Sequence, residues 1–98
     1  MSKPTAAELS KSHLLDLYRF LKLNRLLEER LTNLYRQGQV VGGLYRSLGQ
    51  EACSVGSAYA LERGDVFTPL IRNLGAILVR RGRPRDILCQ YMAKADSP

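Results

Sequence analysis

A chain of 98 residues with a hydrophobic share of 45% and a charged share of 24% has room for one domain with a modest core, and its composition excludes an intrinsically disordered polymer. No apolar run approaches the roughly 18 residues that a membrane helix needs, and Met1-Ser2-Lys3-Pro4-Thr5 lacks the apolar core of a secretory signal, so a cytoplasmic location without a membrane partner is expected. The net charge of +6 raises the question of nucleic acid, but the arginines are spread along the chain instead of gathered in one patch.

Thr5-Ala6-Ala7-Glu8 has the spacing of a capping box, and Ser10 or Ser12 offers a second start just ahead of the strongly apolar part. Leu14, Leu17, Tyr18 and Leu21, then Phe20, Leu23, Leu27, Leu31 and Leu34, recur at helical spacing that drifts slowly around the cylinder, which predicts a long helix ending near Gln37. Gly38 can adopt the left-handed conformation that terminates helices, and Arg36 places a cation at the negative end of the dipole. His13, the only histidine, has no cysteine or second histidine near it and reads as a capping or solvated residue, so no metal ligand is expected. Glu28 and Glu29 project roughly a hundred degrees apart and read as a solvated face with Arg25 and Arg30 as partners.

The segment Gln39-Val40-Val41-Gly42-Gly43-Leu44-Tyr45-Arg46 reads as a bent or extended connector approaching another backbone closely. Ser47 followed by Gln50 has capping-box spacing, predicting a second helix from Ser47 to about Glu62, stopped by Gly64. Gly49, Ala52, Cys53, Gly56 and Ala60 share one face of it. A glycine inside a helix costs about 0.5 to 1 kcal/mol relative to alanine, and the usual compensation is close approach to a neighbouring backbone, within the chain or in another. Cys53 and Cys89 form no C-x-x-C pair and are expected to be reduced and packed.

Asp65-Val66-Phe67-Thr68, followed by Pro69, predicts a brief strand or extended segment leading into a turn. Leu70 to Arg80 has the spacing of a third helix, Gly82 breaks it, and Pro84 opens a fourth through Ile87, Leu88, Tyr91 and Met92. Arg72, near the start of the third helix, can face an anion such as a phosphate, or can pair with Asp65 or Glu62. Arg81-Gly82-Arg83-Pro84 has the form of an AT-hook core, but helical patterns press in on both sides and the same Gly and Pro explain a helix stop and start. A small basic helical protein that sets Arg80, Arg81, Arg83 and Arg85 against the phosphates of DNA or RNA is the alternative reading. No nucleophile elbow, phosphate-binding loop or Cys-His signature occurs, and no catalytic residue is assigned. With no internal repeat or linker, residues 1–98 read as a single unit.

The landmarks Leu34-Tyr35-Arg36-Gln37-Gly38, a Gly-rich bend, Gly49-Gln50-Glu51-Ala52 with Val55-Gly56, Asp65, an arginine before Gly75, then Arg81-Gly82, Pro84 and Ile87-Leu88, occur in an order that resembles the beginning of the alpha subunit of thiamine-diphosphate-dependent 2-oxo acid dehydrogenases. That group includes the pyruvate, branched-chain 2-oxo acid and acetoin enzymes, and the similarity runs from about Leu17 to Met92. The resemblance implies a mainly α fold, the N-terminal helical segment of an α/β thiamine-diphosphate-binding subunit with one short extended segment near Val66-Thr68. It also implies a parent enzyme that oxidatively decarboxylates a 2-oxo acid and passes the acyl group to a lipoyl group.

In the family a tyrosine-arginine pair reaches the cofactor diphosphate. Ile71-Arg72-Asn73-Leu74 keeps the arginine, so the resemblance assigns Arg72, with Ile71 in the tyrosine's place, to cofactor binding. Where the family often has a histidine after the Gly-rich bend, this chain has Tyr45. The family's magnesium- and diphosphate-holding glycine-aspartate-glycine motif lies in a later parallel-sheet domain and is not in these 98 residues. Thiamine diphosphate and Mg²⁺ are therefore implied for the complete enzyme, and no tight binding or turnover for this piece alone. The implied partners are the remainder of the alpha subunit, the beta subunit and a lipoyl-bearing acyltransferase. The small-residue face of the second helix is expected to pack against the rest of the alpha subunit or a neighbouring subunit, and self-association is expected of the piece alone.

Overall fold

A computed structural model of the chain describes residues 9–80 and 82–95, and every regular element among them is helical: α1 (Lys11–Arg36), α2 (Glu51–Tyr59), α3 (Leu74–Val79) and α4 (Pro84–Tyr91). The mainly α expectation holds. The Thr5–Glu8 capping box and Arg81 lie outside the described residues.

The 26 residues of α1 run about 39 Å at the helical rise, nearly the 45 Å longest dimension of the protein. Its start is Ser10, whose side chain accepts from the His13 backbone N–H while the His13 ring accepts from the Ser10 N–H, a reciprocal capping box. His13 is thus a capping residue. At the other end Gly38 takes a φ of +76°, and the Gln39 N–H donates to Leu34 O while the Gly38 N–H donates to Tyr35 O. This is a Schellman motif, which satisfies carbonyls the helix leaves open.

The second helix is shorter than its pattern. Ser47 does not cap it: the Ser47 hydroxyl is turned onto α1, Gly49 is left-handed at φ +85°, and residues 48–50 form a turn, so α2 begins at Glu51. It stops at Tyr59, because Ala60 already caps it and the Asp65 carboxylate accepts from the Glu62 N–H to close the following turn. Three pairings fix its direction. Asp16 meets Tyr59, Arg25 meets Glu51, and Glu28 meets Ser47; rising numbers on one side against falling numbers on the other mean that this part of the chain runs antiparallel to α1.

The third helix also starts late. The Asn73 carboxamide oxygen accepts from the Leu70 N–H, and its nitrogen donates to the Ser54 hydroxyl, so residues 70–73 form a side-chain-closed turn tied to α2. No strand occurs among the described residues; Asp65 to Leu70 runs without regular secondary structure, because there is no partner strand to pair with. Pro84 opens α4 at its first turn, as expected.

The core is Leu27, Leu31, Val40, Leu74, Leu78 and Ile87, flanked by Leu23, Leu34, Leu44, Ile77, Leu88 and Tyr91. Leu31 is fully enclosed, at 0% exposure. Val41 donates to the Tyr91 carbonyl, which ties the connector after α1 to the end of α4. Close approach does occur, but at α3 and against side chains: a Cβ on Gly75 would stand 2.8 Å from Val55 Cγ2 and 2.9 Å from Asn24 Nδ2, so this glycine lets the α3 backbone meet side chains of α2 and α1 together. A Cβ on Gly82 would lie 2.8 Å from the Ile77 backbone oxygen, which makes the α3–α4 link a tight fold-back.

Packing of the small-residue face against the chain is not observed among the described residues. Ala52, Cys53, Gly56 and Ala60 are exposed, while Glu51, Ser54, Val55 and Ala58 point inward. The space a Gly56 side chain would occupy is open. Cys53 is therefore not packed, contrary to expectation; Cys89 is half-buried, and both thiols are free.

Candidate functional site

Two polar clusters hold the framework on which the site residues are displayed. Glu28 is only 3% exposed and accepts from both the backbone N–H and the hydroxyl of Ser47, at 2.8 and 2.5 Å; Arg46 Nε lies 3.9 Å away. The solvated face expected for Glu28 is thus corrected, because the connector folds back over that side of α1. Arg25 pairs with Glu51 across the α1–α2 interface instead of with its helical neighbours. The Glu51 carboxylate also accepts from the Gly49 N–H at 2.9 Å. The Arg25 hydrogen bond holds the Glu51 carboxyl below the usual carboxylate range. Together these contacts pin residues 46–51 to α1.

The connector then presents Tyr45 toward the turn that carries Arg72. The Arg72 guanidinium carbon stands 5.4 Å from the centroid of the Tyr45 ring, within cation–π range. Both residues are exposed, and among the described residues no carboxylate pairs with Arg72. The expected alternative, pairing with Asp65 or Glu62, is not observed. A different arginine serves that loop: Arg80 donates to the carbonyls of Glu62 at 2.9 Å and Asp65 at 2.6 Å, and stacks over Phe67.

Ile71 is 59% exposed and lines an open apolar groove of about 980 Å³, together with Gly43, Leu70, Leu74, Ile87 and Tyr91. Arg72 follows Ile71 directly in the chain, while the charged residues that line the groove itself are Arg80 and Asp86. The arrangement can receive an anion at Arg72 and apolar surface beside Ile71. Ile71 itself offers no donor. Among the described residues there is no cluster of His, Cys, Asp and Glu able to hold a metal ion, and no helix long and apolar enough to cross a membrane.

The basic stretch after α3 is largely engaged. Arg83 makes a two-point contact with Asp86 at 3.0 Å, Arg85 lies 4.0 Å from the same carboxylate, and Arg80 is committed to the carbonyls above. Sequence reasoning missed the Glu28–Ser47 contact and the Tyr45–Arg72 stack, since both join residues distant in the chain.

Comparison with known proteins bears on what this surface belongs to. No solved structure matches the chain. It is 34% identical over 94 residues to the 2-oxoisovalerate dehydrogenase subunit alpha of Bacillus subtilis (strain 168), covering 95% of this chain and 28% of that protein. It is 35% identical over 90 residues to the pyruvate dehydrogenase E1 component subunit alpha of Rhizobium meliloti (strain 1021), covering 92% and 26%. It is 28% identical over 93 residues to the mitochondrial pyruvate dehydrogenase E1 component subunit alpha of Chaetomium thermophilum, covering 95% and 23%. The chain spans about a quarter of the length of these relatives, and none of the three is named as a nucleic-acid-binding protein. The family model for the dehydrogenase E1 component matches residues 18–98, and the chain belongs to that family.

Proposed function

We propose that this chain is the N-terminal helical part of the alpha subunit of a thiamine-diphosphate-dependent 2-oxo acid dehydrogenase, and that Arg72 is its contact to the cofactor diphosphate. The observation that carries this is an exposed arginine without a carboxylate partner, held over the Tyr45 ring and next in the chain to Ile71, which lines an apolar groove, in a chain of that family. The residues present fit the diphosphate end of the cofactor: an exposed guanidinium held over a ring by its charge, with no carboxylate partner, has N–H groups left for an anion. Among the described residues no cluster offers ligands for Mg²⁺, and in this reading those ligands belong to the remainder of the subunit.

Bound thiamine diphosphate supplies the electron sink for decarboxylating the 2-oxo acid. Arg72 balances phosphate charge and fixes its position. Ile71, in a tyrosine's place, contributes apolar surface and no hydroxyl. Glu28 and Glu51 hold the connector and α2 so that Tyr45 stays opposite the residue 70–73 turn.

The partners in this reading are the rest of the alpha subunit, a beta subunit and a lipoyl-bearing acyltransferase. The exposed small-residue face of α2 and the open space at Gly56 support its packing against such protein, and self-association of the chain when it is alone. A cytoplasmic location goes with this reading, supported by two unbridged cysteines, which fit a reducing compartment. In this reading the catalytic set lies in the remainder of the enzyme, and the 98 residues alone are expected to be inactive.

The test is to titrate thiamine diphosphate with Mg²⁺ against the complete alpha subunit assembled with its beta partner, comparing Arg72→Ala with the unsubstituted protein. Loss of a charge-assisted contact weakens binding by about 1.5 to 3 kcal/mol. Unchanged affinity removes Arg72 from the site.

A further inference from the structure

We infer that Tyr45 is a positioning residue for the diphosphate site, holding the Arg72 guanidinium in the orientation that receives the anion; the inference rests on the reading of Arg72 given above. A long arginine side chain that is exposed samples many rotamers, and ordering them on binding weakens affinity. Here the Arg72 guanidinium carbon is already placed 5.4 Å from the Tyr45 ring centroid. The attraction of a cation for the ring face leaves the guanidinium's in-plane donors available.

The ring is itself held. A Cβ built on Gly43 would come 3.2 Å from Tyr45 Cε2 and 3.5 Å from its hydroxyl oxygen, so the ring packs directly against the Gly43 backbone, and the absence of a side chain there makes room for it. Beyond the ring, the next residues are anchored. Arg46 lies beside Glu28, and Ser47 donates to Glu28 through both backbone and side chain. The turn bearing Arg72 is fixed by Asn73, which bonds Leu70 behind it and Ser54 on α2. The two partners of the stack therefore sit on two tethered segments, and the contact needs an aromatic face at residue 45, with no demand on the hydroxyl.

The experiment is a calorimetric titration of thiamine diphosphate with Mg²⁺ on the complete alpha subunit assembled with its beta partner. The variants are Tyr45→Phe, Tyr45→Leu, Arg72→Ala and the double substitution Tyr45→Leu with Arg72→Ala. Tyr45→Phe is expected to bind as the unsubstituted protein does. Tyr45→Leu is expected to raise Kd roughly two- to fivefold, the worth of an exposed cation–π contact, and to add nothing in the Arg72→Ala background. An equal loss in Tyr45→Phe and Tyr45→Leu, no loss in Tyr45→Leu, or a loss that persists without Arg72 overturns the positioning role while leaving Arg72 in the site. An unaltered Kd in Arg72→Ala overturns the diphosphate reading and the inference with it.

Discussion

Ser47 gives Glu28 two hydrogen bonds, one from its backbone N–H and one from its hydroxyl, and so fastens the turn before α2 onto the middle of α1. A buried carboxylate is tolerated only when its acceptors are met, and here one residue meets both oxygens.

Replacing Ser47 with alanine keeps the backbone donor and strips the other oxygen of its partner. The expected loss is about 1 to 3 kcal/mol of unfolding free energy, read from urea titrations of the two proteins. A change within a few tenths of a kcal/mol would show that this oxygen is solvated instead.

Acid should loosen the α1–α2 interface. The Arg25 hydrogen bond lowers the Glu51 pKa, so the unfolded chain binds the proton more readily than the folded one. The stabilisation is present above the unfolded value of about 4.3 and disappears as pH falls through the lower folded value. Thermal melts between pH 7 and pH 3 should show a decline that Glu51→Gln flattens. An identical pH profile for the variant would mean that Glu51 is not the group responsible.

Glycines at three positions should respond differently to alanine. At Gly82 a Cβ meets the Ile77 carbonyl, and overpacking against backbone is expected to cost about 1 to 3 kcal/mol. At Gly75 it meets Val55 and Asn24, with a loss of similar size. Nothing stands where the Cβ of Gly56 would go, so Gly56→Ala should stabilise the isolated chain by about 0.5 to 1 kcal/mol. In the alpha–beta assembly proposed above, the same substitution should weaken association, measurable by sedimentation; tighter or unaltered assembly would detach the small-residue face from any interface.

Arg80 holds the loop after α2 by donating to Glu62 and Asp65 carbonyls and by stacking on Phe67. Arg80→Ala should speed amide exchange across residues 62–67 while sparing α1, since the rest of the core does not depend on that side chain. Uniform acceleration along the chain would instead mean that Arg80 supports the whole fold.

A buried amide gives a contrasting case. Asn24 is fully enclosed, and neither polar atom of its side chain has a hydrogen-bond partner among the described residues. Asn24→Leu removes a desolvated polar group and should leave stability unchanged or raise it, by up to about 1 to 3 kcal/mol, as read by the same urea titrations. A marked loss would point to a partner for that amide.

The length of α1, its Gly38 stop, the Pro84 start and the four-helix content were legible in the sequence, because periodicity and caps act within a few residues of each other. The order of landmarks from Leu34 to Leu88 likewise carried the family, which the match over residues 18–98 shows. Where a side chain had a choice of partners, local pattern misled: Ser47 and Gln50 spell a capping box, but the Ser47 hydroxyl goes to Glu28, and α2 starts at Glu51. Asn73 delays α3 by closing a turn onto Ser54, and Asp65 to Leu70 forms no strand among the described residues.

Sequence alone thus determined which segments are helical and to which family they belong. Only the tertiary structure decided that Glu28 is buried, that the close approach falls at Gly75 and not along the glycine-bearing face of α2, and that Arg72 rests on Tyr45. The reason is range: helix propensity and capping are settled between neighbours in the chain, whereas a carboxylate, a glycine or a guanidinium acquires its role from residues tens of positions away, which no local pattern encodes.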